Sequence, residues 1–139
     1  MKRYISLVAI ISLVLIFQGT LLAQNTTEKT NASMDFEEDF YDFGEVSSDT
    51  VLTHVFKFEN SGTDTLFIGS VRGSWGCTAS LLSSEVIPPG DTGQLEVSFS
   101  TKNRFGKNRK TVYIYSNDKN SQVKKIYVKA KIVRKTTTS

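Results

Sequence analysis

Apolar and polar residues alternate along short segments of this chain, and the alternation limits the fold more than any other feature. In residues 51–59, Leu52, Phe56 and Phe58 share one parity with His54, and residues 124–133 repeat the pattern. Successive side chains of a β-strand point to opposite faces, so a period of two is typical of strands with one buried face. After residue 24 no apolar stripe follows the helical spacing i, i+3, i+4, i+7. The sequence therefore predicts an all-β protein.

Turn-forming residues separate the alternating segments. Asn60-Ser61-Gly62, Pro88-Pro89-Gly90-Asp91 and Asn117-Asp118-Lys119-Asn120 are typical turn sequences. About seven strands within roughly 100 residues predict an immunoglobulin-like β-sandwich. Strand parity assigns one set of apolar residues to its core: Phe56, Phe58, Leu66, Ile68, Leu95, Val97, Val112, Ile114, Ile126 and Val128.

Residues 1–23 have the three-part layout of a secretory signal peptide. Lys2 and Arg3 form a positive n-region, an apolar run extends from Ile5 to Phe17, and Ala23 stands at the expected cleavage position. The run is shorter than the about 20 apolar residues of a membrane span, although residues 4–23 could cross a thin bilayer as an uncleaved anchor. We predict a signal peptide over 1–23, a flexible linker over 24–33, the sandwich over 34–134 and a disordered tail over 135–139. The predicted location is extracytoplasmic, in the periplasm or secreted.

We expect the mature chain to begin at Gln24, because Ala23 is the small residue that precedes a signal-peptidase cut. The intact mass of the protein isolated from its own cells measures this directly. A mass that retains residues 1–23 would contradict cleavage and support the membrane anchor.

Cys77 is the only cysteine and His54 the only histidine of the chain. An intramolecular disulfide, a thiolate cluster and a multi-histidine metal site are therefore excluded. A Cys–His pair could form a thiol-dependent enzyme, but His54 shares the parity of apolar neighbours and is interpreted as part of the core or its rim. Phosphate-binding loops, Gly-x-Ser-x-Gly elbows and zinc motifs do not occur. We expect no enzymatic activity, no catalytic residue, no cofactor and no metal.

Charge is divided unevenly along the chain. Residues 24–101 contain three basic and thirteen acidic residues, whereas residues 102–139 contain twelve basic residues and the single acid Asp118. Such a split is typical of proteins with a nucleic-acid or membrane partner. The alternative is that two halves of one sandwich interleave and neutralise each other. The extracytoplasmic location favours this alternative over nucleic acid, and a membrane contact is expected only if residues 1–23 remain attached.

A series of motifs along residues 34–133 resembles the bacterial family called domain of unknown function 1573. The motifs, in order, are Asp42-Phe43-Gly44-Glu45-Val46, residues 54–62, residues 66–71, Ser74-Trp75-Gly76-Cys77-Thr78, Ile87-Pro88-Pro89-Gly90 and Tyr115-Ser116-Asn117-Asp118. The resemblance implies a secreted or surface-associated protein. It also implies an immunoglobulin-like fold related to major-sperm-protein and cilia-associated domains, which act as binding modules. It implies no established activity.

One position departs from the family pattern. Relatives usually read Ser-Cys-Gly-Cys-Thr, and here Trp75 replaces the first cysteine. A single thiol can neither close a disulfide within the motif nor chelate a soft metal. Cys77 is then either a free thiol that pairs with a partner or senses an oxidant, or a small residue that packs in a turn.

Strand parity also predicts one outward-facing set of aromatic and basic residues. In an immunoglobulin-like sandwich the third, sixth and seventh strands lie side by side, and here they correspond to residues 66–72, 111–116 and 124–133. One outer face then carries Phe67, Tyr113, Tyr115 and Tyr127, with Lys125 and Lys129 beside Tyr127. Aromatic residues are enriched in binding interfaces. The alternative is that cross-strand aromatic pairs only stabilise the sheet.

The leading hypothesis is therefore a non-catalytic extracytoplasmic binding module of the cell envelope. Its expected partner is a protein or an envelope polysaccharide. The alternative is a structural subunit or chaperone-like adaptor that adds an edge strand to a partner's sheet. A redox protein that depends on Cys77 is a third hypothesis.

Overall fold

The described residues form nine strands that pack as two sheets. The computed structural model describes residues 29–74 and 77–136, without the side chains of residues 77–80. The strands are β1 (Met34–Phe36), β2 (Phe40–Ser47), β3 (Val51–Asn60), β4 (Leu66–Gly73), β5 (Cys77–Leu82), β6 (Val86–Ile87), β7 (Thr92–Ser100), β8 (Gly106–Ser116) and β9 (Val123–Val133). One sheet has the order β1-β3-β7-β5 and the other the order β2-β9-β8-β4-β6. The predicted all-β, immunoglobulin-like sandwich is confirmed, with nine strands instead of about seven.

All ten residues that strand parity assigned to the core are buried. Phe56, Leu66, Leu95 and Ile126 are fully enclosed, and the other six are at most 4% exposed. Phe99, Ala130 and Ile132 extend the apolar interior towards the other end of the sandwich. The parity is decisive because a shift of one residue would turn every one of these side chains towards water.

Asn60 lies at the end of β3 and connects four chain segments through its buried side-chain amide. Its Oδ1 accepts hydrogen bonds from the backbone amides of Ser33 at 3.2 Å and Gly62 at 3.1 Å. Its Nδ2 donates to the backbone oxygens of Asp64 at 2.8 Å and Ile87 at 2.9 Å. The side chain has two donors and an acceptor with two lone pairs, so its hydrogen-bonding capacity is fully used.

Asp118 plays a similar part in the turn between β8 and β9. Its Oδ1 accepts the backbone amides of Asn120 at 2.7 Å and Ser121 at 3.2 Å, while Oδ2 accepts that of Met34 at 2.6 Å. The Lys124 ammonium lies 3.6 Å from Oδ2, and the Asp118 side chain is completely buried. One carboxylate therefore shapes the turn in one sheet and binds the first strand of the other.

The packed body begins before the predicted boundary at Met34. Ala32 and Ser33, assigned by sequence to the flexible linker 24–33, are buried. Gly62 packs directly against the backbone of Asn31, and Thr63 donates its backbone amide to the Asn31 oxygen at 3.0 Å. The polar composition of this segment does not predict the contact, because the contact is made by the backbone of the segment and not by its side chains. Of the predicted tail, Lys135 and Thr136 are exposed and residues 137–139 lie outside the described part.

Replacing Asp118 by Ala should lower the free energy of unfolding by about 3 kcal/mol, because three backbone amides and a lysine lose a buried anionic partner. Asp118→Asn keeps acceptor oxygen and should lose about 1 kcal/mol. Glu59→Ala removes an exposed carboxylate from β3 and should change stability by less than about 0.5 kcal/mol. Urea unfolding of the three variants measures the differences. An Asp118→Ala protein with the wild-type midpoint would show that the network does not hold this end of the fold.

Candidate functional site

The outward side of the five-stranded sheet carries a continuous set of aromatic and basic side chains. It is built on β8 and β9, whose inward residues Val112, Ile114, Ile126 and Val128 are buried, so the alternate residues face outward. We call this surface the basic aromatic face. It consists of Arg72, Lys107, Arg109, Tyr113, Tyr115, Lys125, Tyr127, Lys129 and Lys131.

Each tyrosine of the face has a cation over its ring. The Arg109 guanidinium carbon lies 4.3 Å from the centroid of the Tyr127 ring. The Lys125 ammonium lies 5.7 Å from the Tyr113 ring, and the Arg72 guanidinium carbon lies 5.7 Å from the Tyr115 ring. A cation within about 6 Å of a ring centroid is attracted by the negative face of the ring. The rings thus hold positive charge on the surface of the sheet.

Cross-strand register arranges further charges in two rows near the start of β8. In one row Asp42, Lys129 and Arg109 are neighbours on β2, β9 and β8, and in the other Glu45, Lys131 and Lys107 are neighbours. The Lys129 ammonium lies 3.3 Å from a carboxylate oxygen of Asp42, and the Lys131 ammonium lies 3.3 Å from one of Glu45. Each row therefore contains two cations and one carboxylate.

A turn in the edge strand fixes the first of these carboxylates. Gly44 has a φ of +71°, and the register between β2 and β9 shifts between Asp42 and Glu45. Gly44 donates its backbone amide to Oδ1 of Asp42 at 2.8 Å. This hydrogen bond holds the pKa of Asp42 below its ordinary value, and Lys129 lowers the pKa further. Asp42 therefore stays ionised to a lower pH than an ordinary aspartate.

The structure brings most of the sequence-predicted binding residues together. Tyr113, Tyr115, Tyr127, Lys125 and Lys129 share the basic aromatic face because β4, β8 and β9 do lie side by side. Phe67 also faces outward, and 54% of its surface is exposed, but it lies beyond the irregular register between Ile68 and Ser70. Phe67 therefore stands at the margin of the face. Its role in binding, like that of the others, stays a prediction.

Sequence reasoning missed the two arginines and two lysines that complete the face, Arg72, Arg109, Lys107 and Lys131. The sequence Arg104-Phe105-Gly106-Lys107 predicts a loop, whereas β8 begins at Gly106 and places Lys107 and Arg109 on the parity of Tyr113. This parity was visible in the sequence and could have extended the strand. The position of Arg72 beside Tyr113 was not visible, because it depends on the register between β4 and β8.

The predicted thiol site is only partly described. Trp75 lies outside the described residues. Cys77 opens β5, where its backbone pairs with Phe99 of β7, but its side chain also lies outside the described part. The loop between β4 and β5 therefore contributes no geometry to a site.

His54 occupies the rim of the core, as its parity predicted. Its ring stacks on that of Tyr41 with centroids 3.6 Å apart, and its Nε2 lies 2.5 Å from Oε1 of Glu38. Glu38 belongs to the segment where the chain crosses from one sheet to the other. The stacking of His54 on Tyr41 joins β3 of one sheet to β2 of the other, and the aromatic neighbours leave His54 partly enclosed.

Other features of the described residues offer less chemistry. No three of their histidine, cysteine or acidic side chains are grouped as metal ligands would be. A cleft of about 700 Å³ opens beside Thr30, Asp64 and Asn117 at the Asn60 end of the sandwich. Within the same residues, no helix has the length and apolar character needed to cross a membrane.

The model of one protein family matches residues 34–132, which include both sheets and the basic aromatic face. The family is described as protein of unknown function, DUF1573. The chain belongs to this family. The turns around Asn60 and Asp118 include two of the motifs through which the sequence resembles DUF1573, so these motifs have a structural role. A search of curated proteins found no match for this DUF1573 chain.

Solved structures with a similar fold come from bacteria and from humans. A protein of unknown function from Porphyromonas gingivalis W83 is 17% identical, with a TM-score of 0.64 over 79% of this chain and 51% of its own. Domain 7 of human CEP192, an ASH or PapD-like domain, is 8% identical, with a TM-score of 0.58 over 84% and 96%.

The secreted serine protease VesC from Vibrio cholerae is 16% identical, with a TM-score of 0.55 over 72% of this chain and 23% of the protease. At these identities the likeness shows the fold alone. The DUF1573 chain spans about half the length of the P. gingivalis protein that it matches.

Proposed function

We propose that this protein is a non-catalytic binding module of the cell envelope and that it binds its partner through the basic aromatic face. The observation that carries the proposal is the positive charge collected there. Six cationic side chains lie on the face, two carboxylates of β2, Asp42 and Glu45, lie beside it, and the acidic residues 37–39 border it next to Lys125. A surface of one sign attracts partners of the opposite sign and speeds their association.

The cation–ring pairs add a second argument for a binding surface. A guanidinium stacked on a tyrosine ring keeps its N–H groups free at its edges, and it is held near one orientation before a ligand arrives. Such preorganisation lowers the entropy lost on binding. The same stacking also contributes to the stability of the sheet, so a binding role and a stabilising role are compatible in the same residues.

The envelope location is supported by the sequence rather than by the fold. The positive n-region, the apolar run and Ala23 indicate export, which agrees with the secreted or surface-associated character that the sequence resemblance implies. An acidic protein or an envelope polysaccharide is the partner expected from the charge of the face. The proposed activity is attachment, with no bond made or broken.

Replacing Tyr113, Tyr115 and Tyr127 together by Ser should reduce retention of envelope components by about tenfold or more, because three cations lose the rings that position them. Retention on the immobilised full chain is measured with envelope fractions from its own cells. Val51→Ser with Val55→Ser is the matched control, since both valines are exposed on the other sheet. Both variants are first shown to be folded by their unfolding midpoints. Undiminished retention by the tyrosine variant would remove this face from consideration.

A second candidate function, edge-strand addition, is favoured by β5. This strand pairs with β7 on one side, and no described strand pairs with its other side. Leu81 of β5 is 68% exposed. The other sheet edges are less suited to pairing, because β1 and β6 have three and two residues and β2 carries charges and an irregular register.

If β5 recruits a second copy, the full chain should form dimers whose fraction rises with concentration in sedimentation experiments. Leu81→Lys should abolish them, because a charge on an edge strand opposes sheet extension. Val55→Lys introduces the same charge on the central strand β3 and should leave dimerisation unchanged. A wild-type chain that stays monomeric would contradict the self-pairing form of this candidate.

A further inference from the structure

The two charge rows of the basic aromatic face are each short of one negative charge. In both rows the β2 carboxylate is used by the neighbouring lysine of β9, at 3.3 Å in each case. The cations next along the rows, Arg109 and Lys107, are exposed, and among the described residues no carboxylate lies within ion-pair distance of either. A ligand carboxylate next to Arg109 and another next to Lys107 would supply the negative charge that each row lacks.

The geometry of the two cations suits carboxylates in particular. Arg109 and Lys107 are two residues apart on one strand, so their Cα atoms are about 7 Å apart. The Tyr127 ring, 4.3 Å from the Arg109 guanidinium carbon, holds that group in place. A planar guanidinium matches a carboxylate through two parallel hydrogen bonds, whereas a lysine acts as a point charge. The cations therefore fit a ligand with regularly spaced carboxylates.

The centre of the face distinguishes between classes of partner. The cores of interfaces between proteins are depleted of lysine and acidic residues, although they are enriched in aromatic residues and arginine. Here Lys125 and Lys129 lie on either side of Tyr127 along β9, and Lys125 and Arg109 cover tyrosine rings. This arrangement is unlike the apolar centre of a protein interface and suits a hydrated polyanion.

The shape of the surface favours an extended ligand. The face is the outside of a sheet, the cleft of about 700 Å³ beside Thr30 and Asn117 includes none of its side chains, and a smaller cleft of about 310 Å³ at its margin includes only Lys125 of the face. A flat surface gains contact area only from a ligand that extends over several strands. A linear polymer laid across β8 and β9 meets this requirement.

We propose that the basic aromatic face binds an anionic polysaccharide through its carboxylates, with Arg109 and Lys107 as the cations that complete the two rows. This inference rests on the proposed function and names the ligand class of the same surface. Asp42 and Glu45 determine where the polysaccharide lies on the face. They already pair with Lys129 and Lys131, and their negative charges repel a polyanion from the β2 edge.

Binding of polygalacturonate to the full chain, measured by calorimetry at low salt, tests the inference. Arg109→Gln with Lys107→Gln should weaken binding about tenfold or more, as expected when two charge-assisted contacts are lost. Lys57→Gln with Lys119→Gln removes the same net charge from exposed positions off the face and should change the affinity less than about twofold, an effect of long-range charge alone. Neutral dextran should not bind.

A positioning role for Tyr127 is tested with the same probe. Tyr127→Phe keeps the ring under Arg109 and should retain the wild-type affinity. Tyr127→Ser removes the ring and should approach the affinity of the arginine variant, with a cooperative unfolding transition well above the assay temperature showing that the sheet is intact. Equal loss in both variants would show that the hydroxyl, and not the ring, is what matters.

Each of the following outcomes overturns the inference. Polygalacturonate binding that the Arg109 and Lys107 variant does not weaken would place the ligand elsewhere. Tighter binding of polyglutamate would assign the face to an acidic protein, and equal binding of single-stranded DNA would show charge attraction without selection for a glycan. If envelope retention depends on the tyrosines while polygalacturonate fails to bind, the ligand class is wrong and the proposed function stands. If retention is also independent of the tyrosines, both fail.

Discussion

The hydrogen bonds of two buried side chains, Asn60 and Asp118, hold together one end of the sandwich. The arrangement of the strands that extend from this end depends on these hydrogen bonds. Asn60 joins the segment before β1, the turn after β3 and strand β6, while Asp118 joins β1 to the turn between β8 and β9. A buried polar group is costly unless it is fully paired, so few other side chains could replace them. The two sheets are fixed relative to each other here, and the long strands that carry the basic aromatic face extend from this end.

Much of the fold could be predicted from the sequence because its dominant signal is local. Parity placed every predicted core residue correctly, since a strand with one buried face repeats every two residues. Strand β6 has two residues and no room for a period, so it was missed. The parallel pairing of β2 with β9 and the register of β4 on β8 are long-range properties, and no pattern within either strand reveals them. For this reason Arg72 and the two charge rows became visible only in the structure.

The uneven distribution of charge along the chain has a structural counterpart. The basic segment supplies β8 and β9, which lie at the centre of the five-stranded sheet, and acidic β2 lies at its edge. Neutralisation between the halves is therefore real but partial. Lys129 and Lys131 are paired by β2, whereas Arg109 and Lys107 are one strand further away and face solvent. The position of one edge strand thus determines where excess positive charge remains.

The pairing of β2 with β9 has a consequence for how the chain is made. Phe40 lies opposite Tyr127 and Ser47 opposite Val133, so the first long strand has its only described sheet neighbour near the other end of the chain. Domains acquire structure as the chain emerges, and contacts between distant residues form slowly. During synthesis, β2 must wait until nearly the whole domain has appeared. Until then β2 lacks its described neighbour, and the hydrogen-bonding groups along its edge are exposed.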